Sequence, residues 1–428
     1  MTVSGILDIM QEMSRYGVGI DVGTTVVRCV VGHVDGSSMT PNIVGVGVAP
    51  NSGMRKGMVV NITNVAQAID KALEEAERMS GHQIHGAAIN INGAHISAMT
   101  SRGVIAVGAQ GHEITEDDLM RAEEAATVVQ LPANREILQV TPRSYQLDGQ
   151  ENIKDPLGMS GIRLEVDAHV ITALTPHVKN LLKAAEMTET APHAVVVSGL
   201  AAARAVLSPQ QMENGVAIID MGGTTTSVAV YEEGDLQHLA VLPIGSVNIT
   251  NDLAIGLRTD LDVAEKIKLS HASATAQSGK EKPKEIELTH NSEKLAFKVK
   301  EVDMIVEARL EEIMELVDKE LKQIDRSGKL PGGVVLVGGG ANLKNIADFA
   351  KESLRLPARV AKFTEMSGVS DKTSKPEFAA ALGLMLLDFE KEHRTPGSTP
   401  GKKSGGPAMP NIGGFVERAN SLFKKFKA

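Results

Sequence analysis

The sequence predicts an α/β protein built from two similar lobes. The first observation is the stretch Val216 to Val230, V-A-I-I-D-M-G-G-T-T-T-S-V-A-V. An apolar run ends in Asp220, two glycines and three hydroxyl residues follow, and apolar character resumes at once. That pattern reads as a tight strand-to-strand turn, not as the start of a helix. The second observation is Tyr16 to Val31, Y-G-V-G-I-D-V-G-T-T-V-V-R-C-V-V, which repeats the design about 200 residues earlier. The third is a short apolar run, Val334 to Val337, that ends in Gly338, Gly339 and Gly340 before Ala341, Asn342 and a helix.

A Gly-Thr turn between strands is common, so either hairpin alone carries little. Two in the same strand context point to a duplicated domain pair closing on one phosphate chain. Gly23, Gly222 and Gly223 let the backbone approach a ligand closely. The successive N–H groups of such turns, with Thr24, Thr25, Thr224 and Thr225, form a concave anion site. Asp21 and Asp220 would repel a bare phosphate. They make sense when a cation such as Mg²⁺ lies between, held through water. The triple-glycine strand end suits backbone contact with a flat or phosphorylated ligand.

The chain has 428 residues, enough for two or more domains. Its hydrophobic content of 42% and charged content of 23% are ordinary for a globular protein. A net charge of −9 argues against a surface built for nucleic acid. The single cysteine, Cys29, excludes a disulfide framework and reads as a small core residue beside the first turn. No 18-residue apolar run is present, so no transmembrane helix is expected. The opening residues lack a basic start and an apolar core, so no signal peptide is expected. Ile6, Leu7, Ile9, Met10 and Met13 read as a short amphipathic turn or, alternatively, as part of a disordered extension, and no function is assigned to them.

After the first hairpin, Ile43 to Val48 reads as a strand. Asn64 to Met79 reads as a helix, with Val65, Ala68, Ile69, Ala72, Leu73 and Ala76 at 3- and 4-residue spacing. Thr63 or Asn64 is its expected N-cap and Gly81 its stop. From Ile84 to Ala173 the texture changes to a compact α+β insertion. Strands are expected at Gly86 to Ile91, Ile96 to Thr100, Arg135 to Tyr145 and Arg163 to Ile171, around one helix from Thr115 to Val129. Thr115 caps that helix, with Asp118 three residues on. His82, His85, His95 and His112 show no ligand spacing and read as surface or satisfied histidines. Pro176 to Glu186 is a helix and Ala194 to Val197 a strand. The Ala-rich stretch Gly199 to Leu207 reads as a closely packed helix joining the domains.

Beyond the second hairpin, Asn251 to Leu257 and Asp262 to Leu269 are expected to be helical, with Asp262 as N-cap. Glu265 and Lys268 lie three apart on one face and, alone, read as a solvated pair. Residues 272 to 294 are polar, a loop with strands. Val302 to Ile324 is a long amphipathic helix, and Pro376 to Phe389 another helix. From Glu392 to Gly414, Pro, Gly, Ser and Thr dominate without apolar periodicity. This reads as a disordered linker of ~22 residues, with a reach of roughly 25 Å.

The end of the chain, F-V-E-R-A-N-S-L-F-K-K-F-K from Phe415 to Lys427, is amphipathic. On a helix, Phe415, Val416, Ala419, Leu422, Phe423 and Phe426 share an arc of about 120°. Arg418, Lys424, Lys425 and Lys427 against Glu417 leave a net charge of +3 on the rest. A basic face opposite phenylalanines on a floppy leash reads as an interfacial membrane helix, the alternative being a helix that docks back on the core. A helix this short is marginal in water, so one copy binds weakly and many linked copies bind well.

Taken together, G-I-D-V-G-T-T, D-M-G-G-T-T-T and V-L-V-G-G-G-A-N-L resemble the phosphate-1, phosphate-2 and adenosine motifs of the actin/Hsp70/sugar-kinase ATPase superfamily. Within it, the insertion, linker and basic Phe-rich tail resemble the FtsA family of actin-like bacterial cell-division proteins. The resemblance runs from about Arg15 to Phe389 and includes the tail. It implies an actin-like (ribonuclease H-like) two-lobe fold with ATP and Mg²⁺ in the cleft. It also implies nucleoside contacts at Gly338, Gly339, Gly340 and Asn342, and moves Glu265 and Lys268 to ribose or adenine contacts. Its domain plan is an N-terminal extension (1–14), a first lobe (15–83, 171–198 and 376–389) and an inserted subdomain (84–170). A second lobe (199–245 and 331–375) carries a smaller subdomain (246–330), then come a linker (390–411) and a membrane-targeting helix (412–428). Hydrolytic relatives place Glu or Gln where this chain has Gly199, which cannot orient water. Tight nucleotide binding with slow turnover is therefore expected. The resemblance further implies filaments of this chain and a tether for FtsZ, whose C-terminal peptide would meet Arg309 and Glu312. The site would be the cytoplasmic face of the inner membrane, with anionic lipids and other division proteins as partners. A pilus-assembly actin-like protein and a small-molecule kinase of the same fold are the alternatives.

Overall fold

Two sheets of matching layout form the two lobes of the computed structural model, which describes residues 15–35, 40–108, 111–275, 285–290, 293–363, 366–368 and 370–392. The first sheet runs Ala191–Val197, Gly86–Ile91, Arg15–Val22, Val26–Val34, Asn42–Pro50, Ser367–Gly368. The second runs Asp235–Leu242, Thr226–Glu232, Val216–Met221, Val334–Val337, Ala358–Val360. In each, a hairpin strand pairs antiparallel on one side and parallel on the other. Asp21 and Asp220 stand near the carboxyl ends of these central strands, where ligands bind in open α/β sheets. Ile20, Ile218 and Ile219 are fully buried, as a strand covered on both faces requires.

The helix Ile62–Ser80 lays its predicted apolar stripe on the first sheet. Its cap is Asn61, whose side chain accepts from the Asn64 amide, not Thr63 or Asn64. Gly81 ends it in the left-handed region, as expected. The opposite face is covered by the final helix, Ala379–Glu392, and by the Ala-rich helix Ser198–Val206. A Cβ on Gly383 would lie 1.6 Å from the Ala201 carbonyl, so the crossing tolerates only glycine there.

The insertion is a four-stranded antiparallel sheet, Ser97–Ala106, Arg163–Leu174, Arg135–Leu147, Gln150–Ile153, with the helix Glu116–Ala126 and a core of its own. The expected Thr115–Asp118 capping box is present. The second lobe's smaller part holds the helices Ser246–Leu257 and Leu261–Ser270, the hairpin Glu285–His290 with Glu293–Lys298, and the helix Val299–Gln323.

Several expectations are corrected. Asp260, not Asp262, precedes the helix Leu261–Ser270, and it makes no capping bond. Gly339–Asn342 and Pro376–Phe378 are single 3₁₀ turns ahead of their helices. The strands Gln150–Ile153, Asp235–Leu242 and Ala358–Val360 and the helix Pro209–Asn214 were not expected, since short or edge elements carry weak periodicity. The last helix runs to Glu392, so residues 390–392 are helical and do not begin the linker. No helix of the described residues is long and apolar enough to cross a membrane. The N-terminal extension, the rest of the linker and the tail from Phe415 to Lys427 lie outside the described residues.

Candidate functional site

Between the lobes lies a cleft of about 360 Å³. Asp21, Gly23, Thr24 and Thr25 line it from one lobe, and Asp220, Gly222, Gly223 and Thr225 from the other. Glu265, Lys268, Gly338, Gly339, Gly340 and Asn342 complete the predicted set. Thr224 reaches across instead, donating its hydroxyl to Thr24 Oγ1 at 2.9 Å. The two turns are built alike: Gly23 N donates to Val26 O at 3.1 Å and Gly222 N to Thr225 O at 2.9 Å. Gly338 has φ +82°, and a Cβ there would lie 2.5 Å from Asp220 Oδ1.

The two acids are electrostatically coupled. Burial pushes Asp21 up to about 6, against the pull of Arg28 and the Asn90 hydrogen bond. Burial, then the charge of Asp21, pushes Asp220 up to about 7, with Arg28 opposing. Two oxygen-only side chains held short of full ionisation fit a hard divalent cation, which would restore both charges. Among the described residues, no three His, Cys, Asp or Glu side chains converge on one point. Such a cation would therefore draw its remaining ligands from water and phosphate.

Lys268 is buried, unlike the solvated pair its spacing alone implies. Its ammonium donates to Ser246 O at 3.2 Å and Thr250 Oγ1 at 2.8 Å, and pairs with Glu265 at 2.7 Å. Lys268 thus orients Glu265, whose carboxylate is the more open to the cleft. Asn342 is braced by Glu377 at 2.7 Å, and Gly338 N donates to Pro376 O at 2.9 Å. These bonds tie the triple-glycine loop to the turn ahead of the final helix.

Sequence reasoning missed several lining residues. Asn90 donates to Asp21 Oδ1 at 2.6 Å and to Ser198 Oγ at 2.8 Å. Asn92 donates to Thr225 Oγ1 at 3.3 Å. Arg28 lines the cleft with its guanidinium 5.5 Å from the centroid of the Phe378 ring. The available signals were two asparagines at the end of an apolar strand and one arginine inside another. Gly199 packs on Ser227, where a Cβ would come within 3.1 Å.

Outside the cleft, Cys29 is buried, and burial pushes its thiol up. His82 stacks on Tyr16 and His112 lies 3.4 Å from Asp118, but His95 departs from its expected role. It is buried, with neither ring nitrogen bonded, and is tilted against His177 at 4.6 Å. Burial, His177 and Arg135 lower it to about 4, so it is neutral near pH 7. Arg309 is not on a free helix face. It holds Asp252 by two bonds, one of 3.0 Å, and also pairs with Glu312.

Comparison with known proteins agrees with this architecture. A family model described as "Cell division protein FtsA" matches residues 217–383, and "SHS2 domain inserted in FTSA" matches residues 93–172. Cell division protein FtsA of Bacillus subtilis is 36% identical over 370 residues, 86% of this chain and 82% of the relative. That of Pseudomonas aeruginosa is 33% identical over 382 residues, 89% and 91% of the two. That of Escherichia coli K12 is 30% identical over 416 residues, 95% and 97%. A type IV pilus biogenesis complex, PilM–PilN, matches with TM-score 0.63 at 17% identity, over 87% of this chain and 98% of that one. MreB5 of Spiroplasma citri bound to ADP matches with TM-score 0.53 at 13% identity, over 88% and 96%. At these identities the structures speak for the actin-like fold alone. With the paired hairpins, the insertion and relatives matched along most of their length, the chain belongs to the FtsA family of cell-division proteins.

Proposed function

We propose that the chain binds ATP with Mg²⁺ in its cleft, assembles into filaments of its own copies and tethers FtsZ filaments to the inner membrane. The observation that carries the nucleotide reading is the convergence of two like turns, each with its acid, on one cavity. Backbone N–H groups and threonine hydroxyls would hold the phosphates, and Asp21 and Asp220 the cation's water shell. Glu265 and the loop from Gly338 to Asn342 would flank the nucleoside. Bound Mg²⁺ supplies charge neutralisation at the phosphates.

Gly199 offers no group to place a water, so turnover is at or below about one per second. Nucleotide then serves as a switch for assembly. The basic tail supplies membrane affinity of ~1 kcal/mol per Lys or Arg near anionic lipid, multiplied by filament linkage. Partner binding is assigned to the smaller subdomain around Glu312. Met304 and Ile255, on the two helices that the Arg309–Asp252 pair joins, are well exposed and support a surface there.

Two measurements test the proposal. A fluorescent ATP analogue with Mg²⁺ should bind the full chain and release phosphate slowly. Co-sedimentation with anionic vesicles should pellet the full chain but not a chain ending at Pro410. Equal behaviour of the two chains removes the tether, and rapid phosphate release removes the switch.

A further inference from the structure

The insertion belongs covalently to the first lobe, yet it holds the second lobe at two separate places. At its root, the Asn92 carboxamide crosses the cleft mouth. Its Nδ2 donates to Thr225 Oγ1 at 3.3 Å, and its Oδ1 accepts from Ser227 Oγ at 3.2 Å. At its flank, Lys154 follows the strand Gln150–Ile153 and reaches the turn of the second lobe's hairpin. Its ammonium donates to Asp235 Oδ2 at 2.7 Å and Glu233 O at 3.1 Å, and pairs with Glu233 Oε2 at 3.2 Å. Between the two points, His169 of the insertion is buried and bonds the Leu236 main chain.

These attachments grip opposite ends of one strand, Thr226–Glu232. Seven residues at the rise of a strand separate them by roughly 20 Å. One point of contact would act as a pivot; two points this far apart fix orientation. Beside these polar contacts, Leu236, Leu239 and Val241 of the second lobe share one buried apolar cluster with Ile96, Ile171 and Ala173 at the insertion's root, so the junction is part apolar and part ionic.

We infer that the insertion is a strap across the two lobes, whose hold on the Glu233–Asp235 turn sets how readily the cleft opens. Rotation of the second lobe away from the first must break the Lys154 attachment and the Asn92 bonds together. The insertion's outer surface then reports the state of the cleft. The nucleotide arm of the test rests on the ATP reading above; the exchange arm does not.

The experiment compares the full wild-type chain with Lys154→Ala and Lys154→Arg. The rate at which a Mg²⁺-bound fluorescent ATP analogue leaves each protein should rise about fivefold in Lys154→Ala and stay near wild type in Lys154→Arg. Added salt should speed release from wild type and leave Lys154→Ala nearly unchanged, a response that mere loss of packing does not give. Hydrogen exchange without nucleotide should show faster exchange in the strand Asp235–Leu242 of Lys154→Ala. Equal release rates in all three proteins overturn the strap. If the wild type binds no analogue, the ATP reading fails, and exchange then decides the strap: unchanged protection of Asp235–Leu242 overturns it, and lost protection upholds it.

Discussion

Gly338 sits at the end of a buried strand with φ +82°, where an added Cβ would lie 2.5 Å from Asp220 Oδ1 and 2.6 Å from the Met221 carbonyl oxygen. Gly338→Ala meets both the backbone strain and the contact, so nucleotide affinity should fall at least about tenfold. Titration with a fluorescent analogue measures this. The two acids carry a pH signature. Both pKa values lie above the ordinary carboxylate value, so the folded chain holds protons that the unfolded chain releases. Their stabilising contribution is full below about pH 4 and is lost as pH rises through about 6 to 7. Relative to Asp220→Asn, the ion-free wild type should therefore lose thermal stability across that window. Saturating MgATP should shrink or reverse the difference, as followed by circular dichroism. His95 and His169 are lowered to about 4 and slope the other way, but they do so in both proteins and cancel.

At the scale of elements, the Arg309 clamp joins Val299–Gln323 to Ser246–Leu257. Reversing the charge of Arg309 would disturb this packing as well as any partner contact. Glu312 is half exposed and separates the two effects. Asp252→Ala should lower unfolding stability by about 1 kcal/mol. Glu312→Lys should leave it within about 0.5 kcal/mol while weakening FtsZ-peptide binding. Denaturant titration and peptide anisotropy read the two. In the insertion, Thr115→Ala removes a capping box and should cost about 1 kcal/mol. That box was legible because capping is local: Thr115 and Asp118 need only each other. The strand Asp235–Leu242 was not, because its existence depends on an edge offered by Thr226–Glu232.

At the scale of the molecule, the final helix Ala379–Glu392 returns to the first lobe after the second is complete, so the first lobe does not close until this helix is made. Arg204 and Glu390, joined at 2.8 Å, tie the root of the tail to the Ala-rich helix. Cutting the chain at Pro410 leaves this tie intact, so the shortened protein should keep its thermal midpoint and lose only vesicle binding. The sequence by itself determined the duplicated hairpins, the glycine strand end and the insertion. Each is a pattern of neighbours, in which turn chemistry and periodicity act within a few residues. Tertiary structure alone decided that Lys268 is buried and props Glu265, that Asn90 and Arg28 temper the two acids, and that Lys154 bridges to a turn about 80 residues away. Those relations arise from burial and charge between segments distant in sequence, and no local pattern encodes a desolvation or a partner supplied by the other lobe.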